Sequence, residues 1–248
     1  MAFIWTKQRI DWYLDASRYG DFHQRLADTI RPYLLPQDRL CDMGCGLGGL
    51  GLALTPMVNH ITCVDTDEAV LANLQQNAAE AGIANLTTIC GDARDMREVF
   101  DVVFMVFFGH PPQMMLDCLK LASRSLIRVA NAKPEGAALQ PNGHSKKRET
   151  VPDIAALLDR AGRTYQLLRS TFEFGQPLRS EADAAAFIRC NSPAIADGEL
   201  QAFLAENLVS TGRAGRSWVF LSSTLEARPN HGWAFTAIVH VHSPLLEI

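Results

Sequence analysis

The chain has 248 residues, 48% of them hydrophobic and 20% charged, and carries a formal net charge of −4 at pH 7. This length and composition are typical of a globular protein with one large domain and a well-buried core. The acidic balance gives no general attraction for a phosphate backbone, and no apolar run approaches the roughly 20 residues of a membrane-spanning helix. We therefore expect neither a nucleic-acid partner nor a membrane partner.

The N-terminus and the cysteines favour a cytoplasmic location. The first residues lack the basic start, long apolar stretch and cleavage site of a secretory signal peptide. Cys41 and Cys45 have no second pair of ligands with them, so we predict no metal site. The six cysteines form no C-x-x-C pair and are expected to be reduced thiols; they are Cys41, Cys45, Cys63, Cys90, Cys118 and Cys190.

Two helices are predicted to precede the core. Apolar residues recur at helical spacing over residues 8–34, and Gly20 separates them into two groups. A short strand at 39–42 then leads into a cluster of glycines, and a helix over 50–54 stops at Pro56. The order strand, tight turn, helix is the first unit of an α/β fold.

The same unit repeats through the middle of the chain. Strands are predicted at 60–64, 86–90, 101–107 and 126–130, with helices at 67–81 and 112–122. The run from Val102 to Phe107 is apolar throughout, as in a sheet whose two faces are both covered by helices. We therefore predict a doubly wound, mostly parallel α/β sheet.

The second half of the chain interrupts this series, because residues 131–150 are rich in Pro, Gly and polar residues and predict a long loop. The later predicted elements are helices at 152–161, 181–189 and 198–209 and β-like segments at 165–174, 218–225 and 233–241. The last two segments are expected to be antiparallel strands at the sheet edge. The predicted organisation is a single domain, with a core over about 31–175 and 214–248 and a helical cap over about 1–30 and 176–213.

Glycines follow the first core strand at Gly44, Gly46 and Gly48, where they permit positive φ and let the backbone approach a ligand closely. The helix after them directs free N–H groups to the same place. With Gly49, the first two also match the dinucleotide spacing G-x-G-x-x-G. The glycines therefore predict a nucleotide-type cofactor without choosing among such cofactors.

Three carboxylates narrow the choice of cofactor. Asp42 stands just before the glycines, where it would repel a pyrophosphate but attract an ammonium group. Asp65 ends the next strand and can accept from two ribose hydroxyls, while Asp92 follows the third strand and can accept from an adenine amino group. Turn or helix-cap roles remain the alternative for Asp65 and Asp92. Together the carboxylates favour an adenosine that carries an amino acid.

Over residues 38–130 the sequence resembles the class I S-adenosylmethionine-dependent methyltransferases. The likeness rests on segments 40–48 (LCDMGCGLG), 62–65 (TCVD), 90–93 (CGDA) and 100–103 (FDVV). It implies S-adenosylmethionine as cofactor, S-adenosylhomocysteine as product and a seven-stranded sheet with an antiparallel last strand. A nicotinamide-dependent oxidoreductase and a non-catalytic cofactor-binding module stay open as alternatives. Asp42 and Asp92 disfavour the oxidoreductase. The intact glycines and the ribose carboxylate, Asp65, disfavour the non-catalytic module.

The resemblance also implies roles for single residues. Gly44 and Gly46 would lie beside the methionine part of the cofactor, and Asp42 near its amino group. Asp65 would hold the ribose, and Thr66 would lie along the adenine ring. The full expected cofactor-binding set is Asp42, Gly44, Cys45, Gly46, Gly48, Asp65, Thr66, Asp92, Ala93 and Met105.

Methyl transfer is an in-line displacement at an activated carbon, so the protein mainly has to align the acceptor and exclude water. A general base, where one is needed, would stand at the end of the fourth strand, and His110 is the candidate there. The surrounding 107–112 resembles neither the Asn-Pro-Pro-Tyr nor the Asp-Pro-Pro-Tyr signature of enzymes that methylate base or glutamine amide nitrogens. Those acceptors are therefore disfavoured.

The acceptor is expected between the sheet and the cap. Tyr13 and Tyr19 are the other candidate catalytic residues, because N-terminal segments commonly cover the cofactor in the fold that the resemblance implies. Aromatic rings there can stack on a planar or cationic substrate. Arginines of the cap, or just after it, that could hold an anionic group are Arg179, Arg189, Arg213 and Arg216. We expect a small-molecule acceptor, and a monomer or homodimer.

Overall fold

The computed structural model describes residues 4–109, 113–131, 151–173, 176–213, 216–221 and 233–242. Its helices are α1 (Lys7–Gly20), α2 (Phe22–Ile30), α3 (Gly49–Leu54), α4 (Glu68–Glu80), α5 (Gln113–Leu119), α6 (Val151–Arg160), α7 (Glu181–Asn191) and α8 (Asp197–Asn207). Its strands are β1 (Arg39–Met43), β2 (His60–Asp65), β3 (Leu86–Cys90), β4 (Phe100–Val106), β5 (Ala122–Asn131), β6 (Tyr165–Glu173), β7 (Leu208–Arg213), β8 (Arg216–Leu221) and β9 (Trp233–His242). Within these ranges, no helix is at once long and apolar enough to cross a membrane.

Seven of the strands form one sheet in the order β3-β2-β1-β4-β5-β9-β6. The first five run parallel to one another, and β9 lies antiparallel between β5 and β6. Parallel neighbours need crossover connections, and α4 supplies the one from β2 to β3. The predicted doubly wound, mostly parallel sheet with an antiparallel last strand is confirmed.

The prediction that the last two strands, β8 and β9, lie at the edge of the main sheet is wrong. Within the described residues, β8 pairs with β7 in a separate two-stranded sheet. The predicted boundary between cap and core, after residue 213, falls between these two strands. β9 is internal, because it pairs with β5 on one side and β6 on the other. An alternating pattern predicts a strand but does not identify its partner. The internal position lets β9 bury Ile238, Val239 and Val241.

Helices cover both faces of the main sheet. On one face, α2 and α3 bury Phe22, Leu26 and Leu54 against the strands. On the other face, α5 and α6 bury Met115 and Leu158. Full burial of side chains of this size contributes about 1.5–3 kcal/mol each. This packing fixes the carboxyl ends of the parallel strands along one edge.

A third core cluster joins α1 to the helical cap. Trp12 of α1 is buried with cap residues Leu178, Ala184, Ile188, Ile195, Leu200 and Leu204. Its indole N–H donates to Asp183 Oδ1 over 2.9 Å. Arg179 Nη2 forms an ion pair with Asp15 at 2.8 Å. The N-terminal helix and the α7–α8 cap are therefore packed together as one unit.

His240 of β9 pairs with Ile127 in the middle of β5 and is buried, with 7% of its surface exposed. Its ring lies 4.6 Å from the ring of Tyr33 and 4.8 Å from that of His242. Neither ring nitrogen has a hydrogen-bond partner within the described residues. Burial, assisted by His242 and Arg124, lowers the pKa of His240 to about 4. The folded protein therefore keeps this imidazole neutral.

Acidification is expected to destabilise the protein through His240. Between pH 6.5 and 4 the unfolded chain takes up a proton here and the folded chain does not, so the free energy of unfolding falls as pH drops. A pKa unit corresponds to about 1.4 kcal/mol, so the contribution reaches about 3 kcal/mol. Urea denaturation from pH 7 to pH 4 should show a smaller loss in His240→Phe than in the wild type. Parallel stability curves would contradict this.

Candidate functional site

A tight turn follows β1 at the carboxyl edge of the sheet. The N–H groups of Gly44 and Cys45 both donate to the carbonyl oxygen of Val64, at 2.8 and 3.0 Å. Gly44 and Gly46 have φ values of +69° and +52°, which side chains with a Cβ rarely adopt. Gly48 closes the turn by donating to the Cys45 carbonyl over 2.9 Å. The turn is therefore folded across the end of β2.

Aromatic side chains approach this turn from two sides. A Cβ at Gly44 would collide with the ring of Phe108, and a Cβ at Gly46 would lie 3.2 Å from Trp5 Cζ2. Trp5 comes from the N-terminal segment and Phe108 from the segment after β4. The space and the backbone angle both favour glycine at position 44, whereas at position 46 the backbone angle is the stronger reason.

Asp42, at the end of β1, is almost fully buried, with 4% of its surface exposed. Its Oδ1 atom has no hydrogen-bond partner within the described residues. Burial, and then the negative charge of Asp65, raises the pKa of Asp42 to about 7. A buried, unpartnered carboxylate oxygen is costly unless a ligand supplies a donor. The feature fits a cationic group such as an ammonium.

Asp65, at the end of β2, has its carboxylate tied to the backbone. It accepts from the N–H of Gly46 at 2.8 Å and from that of Asp67 at 3.1 Å. Its own carbonyl accepts from the N–H of Gly91 at 2.9 Å. Each carboxylate oxygen can accept a second hydrogen bond, so the side chain can still receive two hydroxyls. Asp65 therefore connects the first three strand ends, and its contact with a ribose stays a prediction.

Asp92 caps the short helical turn after β3. It accepts from the backbone N–H and from Nε of Arg94, both at 2.9 Å. The side-chain bond with Arg94 is the main reason that the pKa of Asp92 falls to about 2. The predicted cap role is thus present, and the adenine contact of Asp92 stays a prediction. Neighbouring Ala93 is buried, and Thr66 is exposed at the adjacent strand end.

Two members of the expected cofactor-binding set, Met105 and Cys45, are fully and partly buried. Met105 of β4 is fully buried beneath the backbone of Gly109. Cys45 is half-buried, and its hydrogen bond with Cys63 and its burial raise the pKa of its thiol. Burial likewise raises the pKa of the Cys41 thiol. Both thiols therefore stay protonated, and the cofactor contacts of Met105 and Cys45 remain predictions.

Tyr13 and His23 form a hydrogen-bonded pair above the turn, with 2.9 Å between the hydroxyl and Nε2. Burial and the nearby Asp42 raise the pKa of Tyr13. Burial lowers the pKa of His23 to about 4. Trp5 packs edge-on against Tyr13, with ring centres 5.5 Å apart. The pair is neutral at pH 7, so Tyr13 can donate or accept a hydrogen bond but does not carry a phenolate charge.

The other two candidate catalytic residues are less well defined. Tyr19 lies half-buried on the last turn of α1. His110 lies outside the described residues, so its role stays a prediction. The break between α1 and α2 is at Asp21, not at Gly20 as predicted. His23 was missed from the sequence because its hydrogen bond to Tyr13 joins these two helices, and no local pattern shows this.

The cap arginines bind carboxylates of the protein where they are described. Arg179 pairs with Asp15, and Arg189 Nη2 pairs with Asp197 at 2.7 Å. The side chains of Arg213 and Arg216 lie outside the described part. In the described ranges, His, Cys, Asp and Glu side chains form no group of three or more that could hold a metal ion. The site therefore offers mainly carboxylates, backbone groups and aromatic rings.

Comparison with known proteins matches residues 40–128, which are 89 of the 248 residues, to a methyltransferase domain family. An uncharacterized RNA methyltransferase of Thermosynechococcus vestitus is 30% identical over 96 residues, which cover 38% of this chain and 21% of that protein. A carboxy-S-adenosyl-L-methionine synthase of Shewanella woodyi is 27% identical over 84 residues, which cover 32% of this chain and 35% of that protein. The chain thus spans 21% and 35% of the length of these relatives.

Among solved structures, magnesium protoporphyrin IX methyltransferase of Synechocystis PCC 6803, crystallised with S-adenosylhomocysteine, superposes with a TM-score of 0.55. The superposition covers 98% of this chain and 89% of the other at 15% sequence identity. At this identity the likeness concerns the fold alone. The segment that matches the domain family runs from β1 to β5, which carry the turn and the carboxylates described above.

Proposed function

We propose that this chain, whose residues 40–128 match a methyltransferase domain family, transfers a methyl group from S-adenosylmethionine to a small-molecule acceptor. The observation that carries the proposal is Asp42, a buried carboxylate just before the glycine turn whose Oδ1 has no hydrogen-bond partner among the residues that the structure describes. An ammonium group neutralises it, whereas a nicotinamide dinucleotide would bring a pyrophosphate against it. The glycines alone fit either cofactor.

The residues present fit S-adenosylmethionine. Asp42 would pair with the amino group, and the backbone of Gly44 and Gly46 would face the methionine part. Asp65 would accept from the ribose hydroxyls through its remaining lone pairs. Adenine would lie near Thr66, Asp92 and Ala93. When bound, the cofactor supplies a methyl group on a positively charged sulfur, which is an activated electrophile.

The protein groups around the turn would position the acceptor and exclude water. Trp5 and Phe108 enclose the glycines, which favours an in-line approach from a restricted direction. Tyr13, held by His23, can donate its proton in a hydrogen bond or accept one from the acceptor. Because both side chains are neutral, this pair orients the acceptor and is a poor base at pH 7.

A small acceptor fits the charges of the site better than RNA does. Asp42 and Asp65 are acidic, Arg179 and Arg189 are paired with protein carboxylates, and the chain has a net charge of −4. Some relatives are named RNA methyltransferases, so RNA is the competing acceptor. RNA binding relies on many contacts between cationic side chains and phosphates.

Calorimetry and a labelling experiment test the proposal. S-adenosylhomocysteine should bind and raise the melting temperature, because a ligand of the folded state stabilises it by mass action; NAD and NADP should do neither. S-adenosylmethionine labelled on its methyl group, incubated with the protein and a cell extract, should label the small-molecule fraction. Binding of NAD alone would refute the cofactor, and label confined to RNA would refute the acceptor.

A further inference from the structure

Phe107, the first residue after β4, has an unusual conformation and an unusual environment. Its φ is +51°, and Asp21 is the only other non-glycine residue with positive φ in the described part of the chain. Asp tolerates such angles, whereas a bulky aromatic residue is strained by them. The residue is also 47% exposed. Gly or Asn would relieve the strain and remove the exposed apolar surface, so the backbone conformation at this position does not call for Phe.

The protein holds Phe107 firmly in this conformation. Its N–H donates to the Val129 carbonyl over 2.9 Å. Two residues later, the Gly109 carbonyl accepts from Arg128 Nη2 over 3.0 Å. The ring stacks on the buried Phe22 with centres 6.1 Å apart and an angle of 25°. The exposed part of the ring is thus presented in a fixed orientation.

The sheet order places this ring beside the proposed reaction centre. β4 lies on one side of β1, while β2 and β3, which carry Asp65 and Asp92, lie on the other. The proposed adenosine site therefore occupies the β2–β3 side. On the β4 side, Phe108 contacts the Gly44 position of the turn, and Phe107 is its chain neighbour. An acceptor has to approach the methionine end of the cofactor from this β4 side.

We propose that Phe107 is a specificity-determining residue that stacks on a planar, apolar, uncharged ring system of the acceptor, an inference that rests on the proposed function. An aromatic face favours planar conjugated ligands over saturated ones of the same size. The carboxylate of Asp42, on the strand that pairs with β4, disfavours an anionic acceptor. The strain at Phe107 is then explained by substrate binding instead of folding.

The test uses the full chain saturated with S-adenosylhomocysteine and two bicyclic alcohols, 2-naphthol and its saturated counterpart decahydro-2-naphthol. Binding is measured by ligand-observed NMR and calorimetry for the wild type, Phe107→Asn and the ring-retaining control Phe107→Tyr. We expect 2-naphthol to bind the wild type and Phe107→Tyr, and to bind Phe107→Asn at least tenfold more weakly. The saturated alcohol should bind all three weakly.

Stability gives an independent readout. Phe107→Asn should melt at the same temperature as the wild type or higher, because Asn tolerates positive φ. A marked fall in melting temperature would assign the ring to the core and overturn the proposal.

Three binding results would also overturn the proposal. They are equal binding of both alcohols by the wild type, equal binding of 2-naphthol by Phe107→Asn and the wild type, and no binding of 2-naphthol at all. Phe107-dependent binding of a single-stranded RNA 12-mer without naphthol binding would assign the ring to a nucleobase and also overturn it. S-adenosylhomocysteine binding by the same samples shows separately whether the proposed cofactor is right.

Discussion

The affinity for S-adenosylhomocysteine is expected to rise about tenfold between pH 6 and pH 8, because Asp42 must be ionised to pair with the ligand ammonium. The pKa of this carboxyl is raised to about 7 in the free protein by burial and by Asp65. Roughly one molecule in ten carries the ionised form at pH 6, and roughly nine in ten at pH 8. Binding near pH 7 should therefore release a fraction of a proton, which calorimetry in buffers of different ionisation enthalpy measures.

The variant Asp42→Asn keeps the shape of the side chain and removes its charge. Loss of a hydrogen bond to a charged group costs about 1.5–3 kcal/mol, so affinity should fall about 10- to 150-fold. The remaining binding should no longer depend on pH between 6 and 8. Equal wild-type affinity at pH 6 and pH 8 would show that the ammonium is held elsewhere.

The same carboxyl affects the stability of the free protein with the opposite pH dependence. Because its folded-state pKa is raised above 3.8, the folded chain binds a proton that the unfolded chain has already lost. The stabilising contribution of this bound proton to the folded state is fully present below about pH 4 and is lost as pH rises through 7. The increase in melting temperature on adding S-adenosylhomocysteine should therefore be larger at pH 8 than at pH 6.

Asp65→Ala is expected to weaken both cofactor binding and the fold. The side chain would no longer accept from ribose, which costs about 1.5–3 kcal/mol of binding free energy. The N–H of Gly46 would also lose its carboxylate partner, which should lower the free energy of unfolding by about 1–3 kcal/mol. Asp65→Asn keeps one acceptor oxygen and should fall between the wild type and Asp65→Ala in both measurements.

Asp67→Ala is the matched control for Asp65→Ala. The Asp67 side chain caps α4 by accepting from the N–H of Ala69 at 2.9 Å, and its removal should cost about 1 kcal/mol of stability. The backbone N–H that it donates to Asp65 is unchanged, so ligand affinity should stay at the wild-type value. Urea denaturation and calorimetry on all three variants separate the two roles. A fall in affinity in Asp67→Ala as large as in Asp65→Ala would mean that the turn, not the carboxylate, determines binding.

The order of most elements was predictable because each depends on a local pattern. The apolar run from Val102 to Phe107 indicates a buried strand whichever neighbours it has, and β4 is such a strand as far as Val106. The prediction is wrong for Phe107, which lies beyond the strand and is 47% exposed. The place of β9 was not predictable, because its alternating pattern fits an edge as well as an interior position. Only the pairing with both β5 and β6 distinguishes the two. The partner of β8 was missed for the same reason.

In the candidate site, single residues were easier to predict than their contacts. The glycines and Asp42, Asp65 and Asp92 stand at strand ends that a linear motif marks. The bond between Asp65 and Gly46 joins two of these motifs, and the bond between Tyr13 and His23 joins two helices. Such pairings depend on three-dimensional packing, and so does the strained angle at Phe107.

The internal position of β9 has a consequence for synthesis on the ribosome. Strands β1 to β5 are complete once residue 131 has emerged, so five parallel strands can assemble early. β6 pairs only with β9 in the described sheet, and β9 is made about 60 residues later. Until then the free edge of β5 and the whole of β6 expose unpaired backbone groups to other nascent chains. The interval before residues 233–242 arrive is therefore the period in which aggregation is most expected.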